Sequence, residues 1–147
     1  MKKAEKSVIL IVDDKPANLL ALESVLASKD RMLLNASSGE EALKITLQKD
    51  IDLIILDVQM PGMDGFEATR IIRGKEKSSG TRLPIIAMTA HAMKGDEERC
   101  LAAGMDGYVS KPIEVEQLLA VIDRVLSATL VVRPEPSDGP VPVLTRS

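Results

Sequence analysis

Three aspartates, a threonine and a lysine each stand just after a short apolar run. Asp13 and Asp14 follow Val8 to Val12, Asp57 follows Leu53 to Leu56, Thr89 follows Pro84 to Met88, and Ser110 and Lys111 follow Tyr108 to Val109. If these run-ends meet, three carboxylates share one pocket, and each pair at about 4 Å repels by about 4 kcal/mol at an effective dielectric near 20. A cation must be present in the working state. Carboxylate oxygens with no His or Cys cluster nearby favour a hard ion such as Mg²⁺ and disfavour zinc. With the pocket neutralised, a carboxylate at its edge can attack a phosphoryl group in line, and Asp57 is the natural nucleophile. Phosphoryl transfer otherwise needs positioning and charge stabilisation, which Lys111 and Thr89 would supply by gripping the transferred oxygens.

The runs that place these residues read as strands: Val8 to Val12, Met32 to Leu34, Leu53 to Leu56, Pro84 to Met88 and Tyr108 to Val109. They are continuous rather than alternating, as expected when helices cover both faces, and the stretches between them are long enough for crossover helices. This predicts an α/β, doubly wound parallel sheet. In such sheets ligands sit beyond the carboxyl ends of the strands, and right-handed crossovers bring those ends together. The chemistry-bearing residues therefore converge by topology.

The intervening helices carry their own punctuation. Ser38 with Glu41 and Asp64 with Glu67 have capping-box spacing, Pro16 suits a first helical turn, and Gly104 is a helix stop. The last helix begins after Pro112, with Val115, Leu118, Leu119, Ile122, Val125 and Leu126 as its apolar stripe, and frays after Ser127. From Arg133 to Pro142 the chain holds four of its eight prolines and cannot continue a helix. The resulting division is a tail over 1–6, one domain over 7–127, and a Pro-rich flexible tail or linker over 128–147.

Composition narrows the partners. The 147 residues are 45% hydrophobic and 28% charged, which suits one soluble domain with a full core. A net charge of −3 and only two aromatics, Phe66 and Tyr108, give neither the basic field nor the stacking platforms that nucleic acid requires. Cys100 is the single cysteine, so no intrachain disulfide forms and a reducing cytoplasm is the expected setting. Val8 to Val12 is too short to span a bilayer.

Four stretches together resemble the bacterial response-regulator receiver domains. They are Ile9-Leu10-Ile11-Val12-Asp13-Asp14, Leu56-Asp57-Val58-Gln59-Met60-Pro61-Gly62-Met63-Asp64-Gly65, Met88-Thr89-Ala90 and Lys111-Pro112, and the likeness runs from about Val8 to Leu126. It implies a flavodoxin-like five-stranded sheet in the order 2-1-3-4-5 with five helices. It also implies that Asp57 is the phosphoacceptor, that Asp13, Asp14, Asp57 and the Gln59 backbone carbonyl hold Mg²⁺, and that Thr89 and Tyr108 form a conformational switch. A cis bond before Pro112 is a further implication. The stretches from Met88 to Asp96 and from Ala103 to Tyr108 are most similar to receivers of hybrid sensor histidine kinases.

Taken singly, these residues have plainer readings. Asp13-Asp14 could cap a helix, Asp57 a turn, Lys111 could be a solvated charge, Tyr108 edge packing, and Glu97, Glu98 and Arg99 a solvated helix face. Their joint placement favours the functional reading. His91, two residues after Thr89, and Gln59, two after Asp57, are expected at the mouth of the site, where they would modulate phosphoryl lifetime. A phosphorelay switch therefore leads, with a sensor histidine kinase or histidine phosphotransfer protein as donor and an effector on the face of the last two helices. Such a protein is not an enzyme beyond its own phosphorylation and dephosphorylation. A hydrolase of the haloacid dehalogenase type wants a second acid two residues after the nucleophile, where Gln59 stands. A pure interaction module leaves the intact Asp13, Asp14, Asp57, Thr89 and Lys111 set unexplained.

Overall fold

The computed structural model describes residues 7–28, 30–80, 82–90 and 94–132. Among these, strands and helices alternate strictly: β1 (Ser7–Val12), α1 (Pro16–Leu26), β2 (Arg31–Ala36), α2 (Gly39–Gln48), β3 (Leu53–Asp57), α3 (Gly65–Ser79), β4 (Ile85–Thr89), α4 (Lys94–Ala102), β5 (Gly107–Ser110) and α5 (Val115–Val132). All pairings are parallel and the strand order is β2-β1-β3-β4-β5, the doubly wound arrangement expected from the sequence.

The continuous apolar runs have the expected cause, since both faces of the sheet are covered. Ile9, Ile11, Leu53, Ile55, Ile86, Met88 and Val109 pack against Leu22 and Leu26 of α1 and Leu118, Ile122 and Val125 of α5. Leu10, Val12, Ile54, Leu56, Ile85 and Ala87 point the other way, toward Ala42, Ala68, Ile72 and Cys100 of α2, α3 and α4. Burying each such large side chain contributes about 1.5–3 kcal/mol. Every residue of β3 and β4 is buried, so the strands that carry Asp57 and Thr89 are gripped from both sides.

Local signals set the helix ends. The Ser38 side chain accepts from the Glu41 amide at 3.1 Å, while the Glu41 carboxylate reaches back to the amide of Ser37 at 2.8 Å, one residue earlier than a capping box would have it. Asp64 accepts from the Glu67 amide at 2.9 Å and starts α3. Gly104 takes φ +105° after α4, with Met105 N–H bonded to Cys100 and Gly104 N–H to Leu101, a left-handed stop that only glycine accepts without strain. The Lys111-Pro112 bond is cis.

Two details of the last helix correct the sequence reading. Val115 is exposed rather than part of the buried stripe. The helix also continues past Ser127 to Val132, because Ala128-Thr129-Leu130-Val131-Val132 holds neither Gly nor Pro to stop it.

Candidate functional site

The carboxyl ends of β1, β3, β4 and β5 bring the predicted residues to one place. Asp13, Asp14 and Asp57 each offer a carboxylate oxygen within 4.8 Å of the others. Asp13, Asp57 and Thr89 are buried, and Asp14 is half-buried at the rim. Lys111 Nζ stands 3.2 Å from Asp13 Oδ2 and 3.2 Å from Asp57 Oδ2, so it bridges the two strands. Its amide donates to the Thr89 carbonyl at 2.8 Å, which fixes the lysine beside the end of β4.

Asp57 is held from behind as well. The Gln59 amide donates to Asp57 Oδ1 at 3.0 Å, and the Val58 amide to the Met88 carbonyl. Burial pushes the Asp57 carboxyl above its ordinary range, the Gln59 amide opposes this, the charge of Asp13 adds to it, and Lys111 pulls it back. The pocket thus concentrates negative charge that one lysine does not fully offset.

Two carboxylate oxygens mark what the pocket lacks. Asp14 Oδ1 and Asp57 Oδ2 are buried with no hydrogen-bond donor in place beyond the Lys111 ammonium, which stands 3.2 Å from Asp57 Oδ2. Buried acceptors are normally satisfied. Oxygen donors left unpaired among three carboxylates fit a hard divalent cation.

Sequence reasoning missed Asn18 and Gly65. Asn18 Nδ2 donates to Asp13 Oδ2 at 3.0 Å, and the Lys15 amide donates to Oδ1, so both oxygens of Asp13 are aimed by the start of α1. The plainer reading of Asp13 as a helix cap is not what the structure has, because Lys15 takes the N-cap position with no side-chain bond. The position of Asn18, one turn into a helix that follows an acidic pair, was the available signal. Gly65 lies against the main chain of Asp57. Gln59 is exposed beside Asp57, Tyr108 is half-buried on β5 against the α2–α3–α4 core, and His91 lies outside the described residues.

Residues 9–123 match the family model described as the response regulator receiver domain. The chain belongs to this family. Within it, the pocket of Asp13, Asp14 and Asp57 fits the phosphoacceptor site. The receiver is 44% identical over 115 residues, 78% of this chain, to the sensor histidine kinase GacS of Pseudomonas protegens. It is 42% identical over 110 residues, 75% of this chain, to the signal transduction histidine-protein kinase BarA of Escherichia coli. It spans 12% of the length of each.

Solved structures agree. The receiver domain of the sensor histidine kinase PA1611 from Pseudomonas aeruginosa, which has a magnesium ion coordinated in its active-site cleft, superposes with a TM-score of 0.73 at 36% identity, covering 83% of this chain and 98% of that one. The Saccharomyces cerevisiae receiver of Ssk1, solved with the histidine phosphotransfer protein Ypd1, gives 0.78 at 28% identity over 89% and 97%. Among the described residues no helix is long and apolar enough to cross a membrane.

Proposed function

We propose that this receiver is a phosphorelay switch in which Asp57 accepts a phosphoryl group from a phosphohistidine on a sensor histidine kinase or a histidine phosphotransfer protein. The observation that carries the reading is the buried Asp57 Oδ2, met only by the Lys111 ammonium in a pocket it shares with Asp13 and Asp14. In the transfer, an Asp57 oxygen forms the new P–O bond as the donor's P–N bond breaks, and the imidazole leaves with the electron pair and takes up a proton.

Asp13, Asp14, Asp57 and the Gln59 carbonyl would hold Mg²⁺, which when bound neutralises the pocket and shares oxygens of the transferred group. The protein's own groups do the rest. Lys111 is placed to exchange its carboxylate contacts for a phosphoryl oxygen, and the Thr89 hydroxyl to take another. Movement of Thr89 would let Tyr108 turn inward, altering the face of α4 and α5 that meets an effector. Gln59 and His91 would tune the entry of water, and slow hydrolysis of the acyl phosphate returns the resting state, so the domain acts as a cytoplasmic switch rather than a turnover enzyme. Residues 7–127 would constitute that domain, with α5 carrying on into the 128–147 segment that would serve as its tail or linker.

Incubation with Mg²⁺ and acetyl phosphate tests this by intact mass. One phosphoryl adduct, absent in Asp57→Asn, supports the switch; an unmodified mass, or an adduct retained in Asp57→Asn, overturns it.

A further inference from the structure

The helix α4 is bound to the rest of the domain unevenly. Among its described side chains Cys100 is the buried one, while Glu97, Glu98, Arg99 and Leu101 are exposed. Its carboxyl end is anchored firmly. Beyond the glycine stop, Arg73 Nε of α3 donates to the Gly104 carbonyl at 2.9 Å and Arg82 Nη2 to the same oxygen at 3.2 Å. In the last turn of the helix itself, the tie to α3 is of another kind. The Arg99 guanidinium lies over the Phe66 ring, 4.6 Å from its centroid.

Behind that stack lies a cleft of about 330 Å³. Val58, Gln59 and Met60 from the loop after Asp57, Thr89 from the end of β4, and Cys100 line it together with Phe66 and Arg99. Here it adjoins the residues that follow Asp57 and the end of β4, and gives their side chains room to move. Phe66 follows Gly65, which rests on the Asp57 main chain, so the ring is coupled to the site through one residue of backbone.

We infer that Arg99 and Phe66 form a clasp that holds α4 to α3 across this cleft in the unphosphorylated domain, and that its release favours phosphoryl transfer to Asp57. The inference rests on the reading of Asp57 as acceptor. Its logic is linkage. If phosphorylation requires the cleft walls to shift, a contact that fixes them lowers the population of the competent conformation, and loosening the contact raises that population and with it the rate of transfer. An exposed cation–π stack is strong enough to shift such an equilibrium by about two- to fivefold. Arg99 and Phe66 are thus positioning residues, acting through the cleft rather than on the phosphoryl group.

The test measures the rate of adduct formation with acetyl phosphate and Mg²⁺ in the unmodified chain, Arg99→Gln, Phe66→Leu and the double variant. Arg99 is exposed, so its replacement leaves the core intact. Either single variant should react about two- to fivefold faster, the double variant no faster than the quicker single, and Arg99→Lys, which keeps a cation over the ring, should return toward the unmodified rate. Hydrogen exchange of the α4 amides in the unphosphorylated variants should quicken in parallel. Unchanged or slower transfer, gains that multiply in the double variant, or no rescue by lysine overturns the clasp while leaving Asp57 as acceptor. No adduct in the unmodified chain overturns the acceptor reading and the clasp with it.

Discussion

Gly65 rests directly on the main chain of Asp57: a Cβ at position 65 would stand 2.6 Å from the Asp57 carbonyl oxygen and 2.7 Å from Val58 Cα. Both neighbours are backbone and cannot swing away, so Gly65→Ala must displace the loop that aims the Asp57 carboxylate. A stability loss of about 1–3 kcal/mol is expected in chemical denaturation, together with slower adduct formation. Gly74, in the same helix, meets nothing within 4 Å. There alanine should add about 0.5–1 kcal/mol through helix propensity alone. Equal effects at the two positions would contradict this account.

Asp57 should be a stability cost as well as a reactive group. Burial raises its pKa from the ordinary 3.8. The folded chain therefore binds this proton at a pH where the unfolded chain has lost it, and stability falls as pH rises through that window. Asp57→Asn removes the penalty and should be more stable at neutral pH by about 0.5–2 kcal/mol. The advantage should shrink as pH drops toward 3.8, where the carboxyl is protonated in the fold. Thermal denaturation across pH without Mg²⁺ checks both the sign and the closing of the gap.

Divalent cations should stabilise the domain through the same oxygens. At a hundred times its Kd, Mg²⁺ would add about 2.7 kcal/mol. Asp14 contributes a buried oxygen that accepts no hydrogen bond, so the resting fold does not lean on that atom. Asp14→Asn should accordingly keep the cation-free Tm while shifting the Mg²⁺ titration to higher concentration. A titration curve that does not move would remove Asp14 from the ligand set.

At the opposite end of the sheet, Arg73 and Arg82 share Asp106 but differ in what they hold. Arg73 bonds Glu76, Asp106 and the carbonyls of Leu83 and Gly104 with its side chain 14% exposed. Arg82 reaches Asp106 and Gly104 with its side chain 55% exposed. Arg73→Ala should cost about 3 kcal/mol or more, as for breaking a largely buried pair. Arg82→Ala should cost about 1 kcal/mol or less. Urea denaturation of the two variants separates them.

Much of this was legible before any coordinates. Residues doubly covered by helices must be apolar on both faces, so β1, β3 and β4 announced themselves, and the polar residues that ended them marked the site. The edge strand β2 was less clear: Arg31, Asn35 and Ala36 are strand residues because they pair with Ser7, Ile11 and Val12, which no local pattern reveals. The Arg73 network was invisible for the same reason. Its partner Asp106 lies 33 residues away, and a charged residue in a helix reads as solvated until the fold brings its partner close. Arg99 likewise read as part of a solvated face, and it is exposed, yet its guanidinium covers Phe66.

The central strand sends Leu53 and Ile55 into one core and Ile54 and Leu56 into the other, and Asp57 ends it. Amides in such a strand exchange only when the whole molecule opens, whereas loops open locally at far lower free energy. The proposed phosphoacceptor is therefore mounted on the last part of the protein to breathe, and the loops around it would set the clock of its acyl phosphate. A substitution that loosens a loop should shorten or lengthen the signal without loosening its mount.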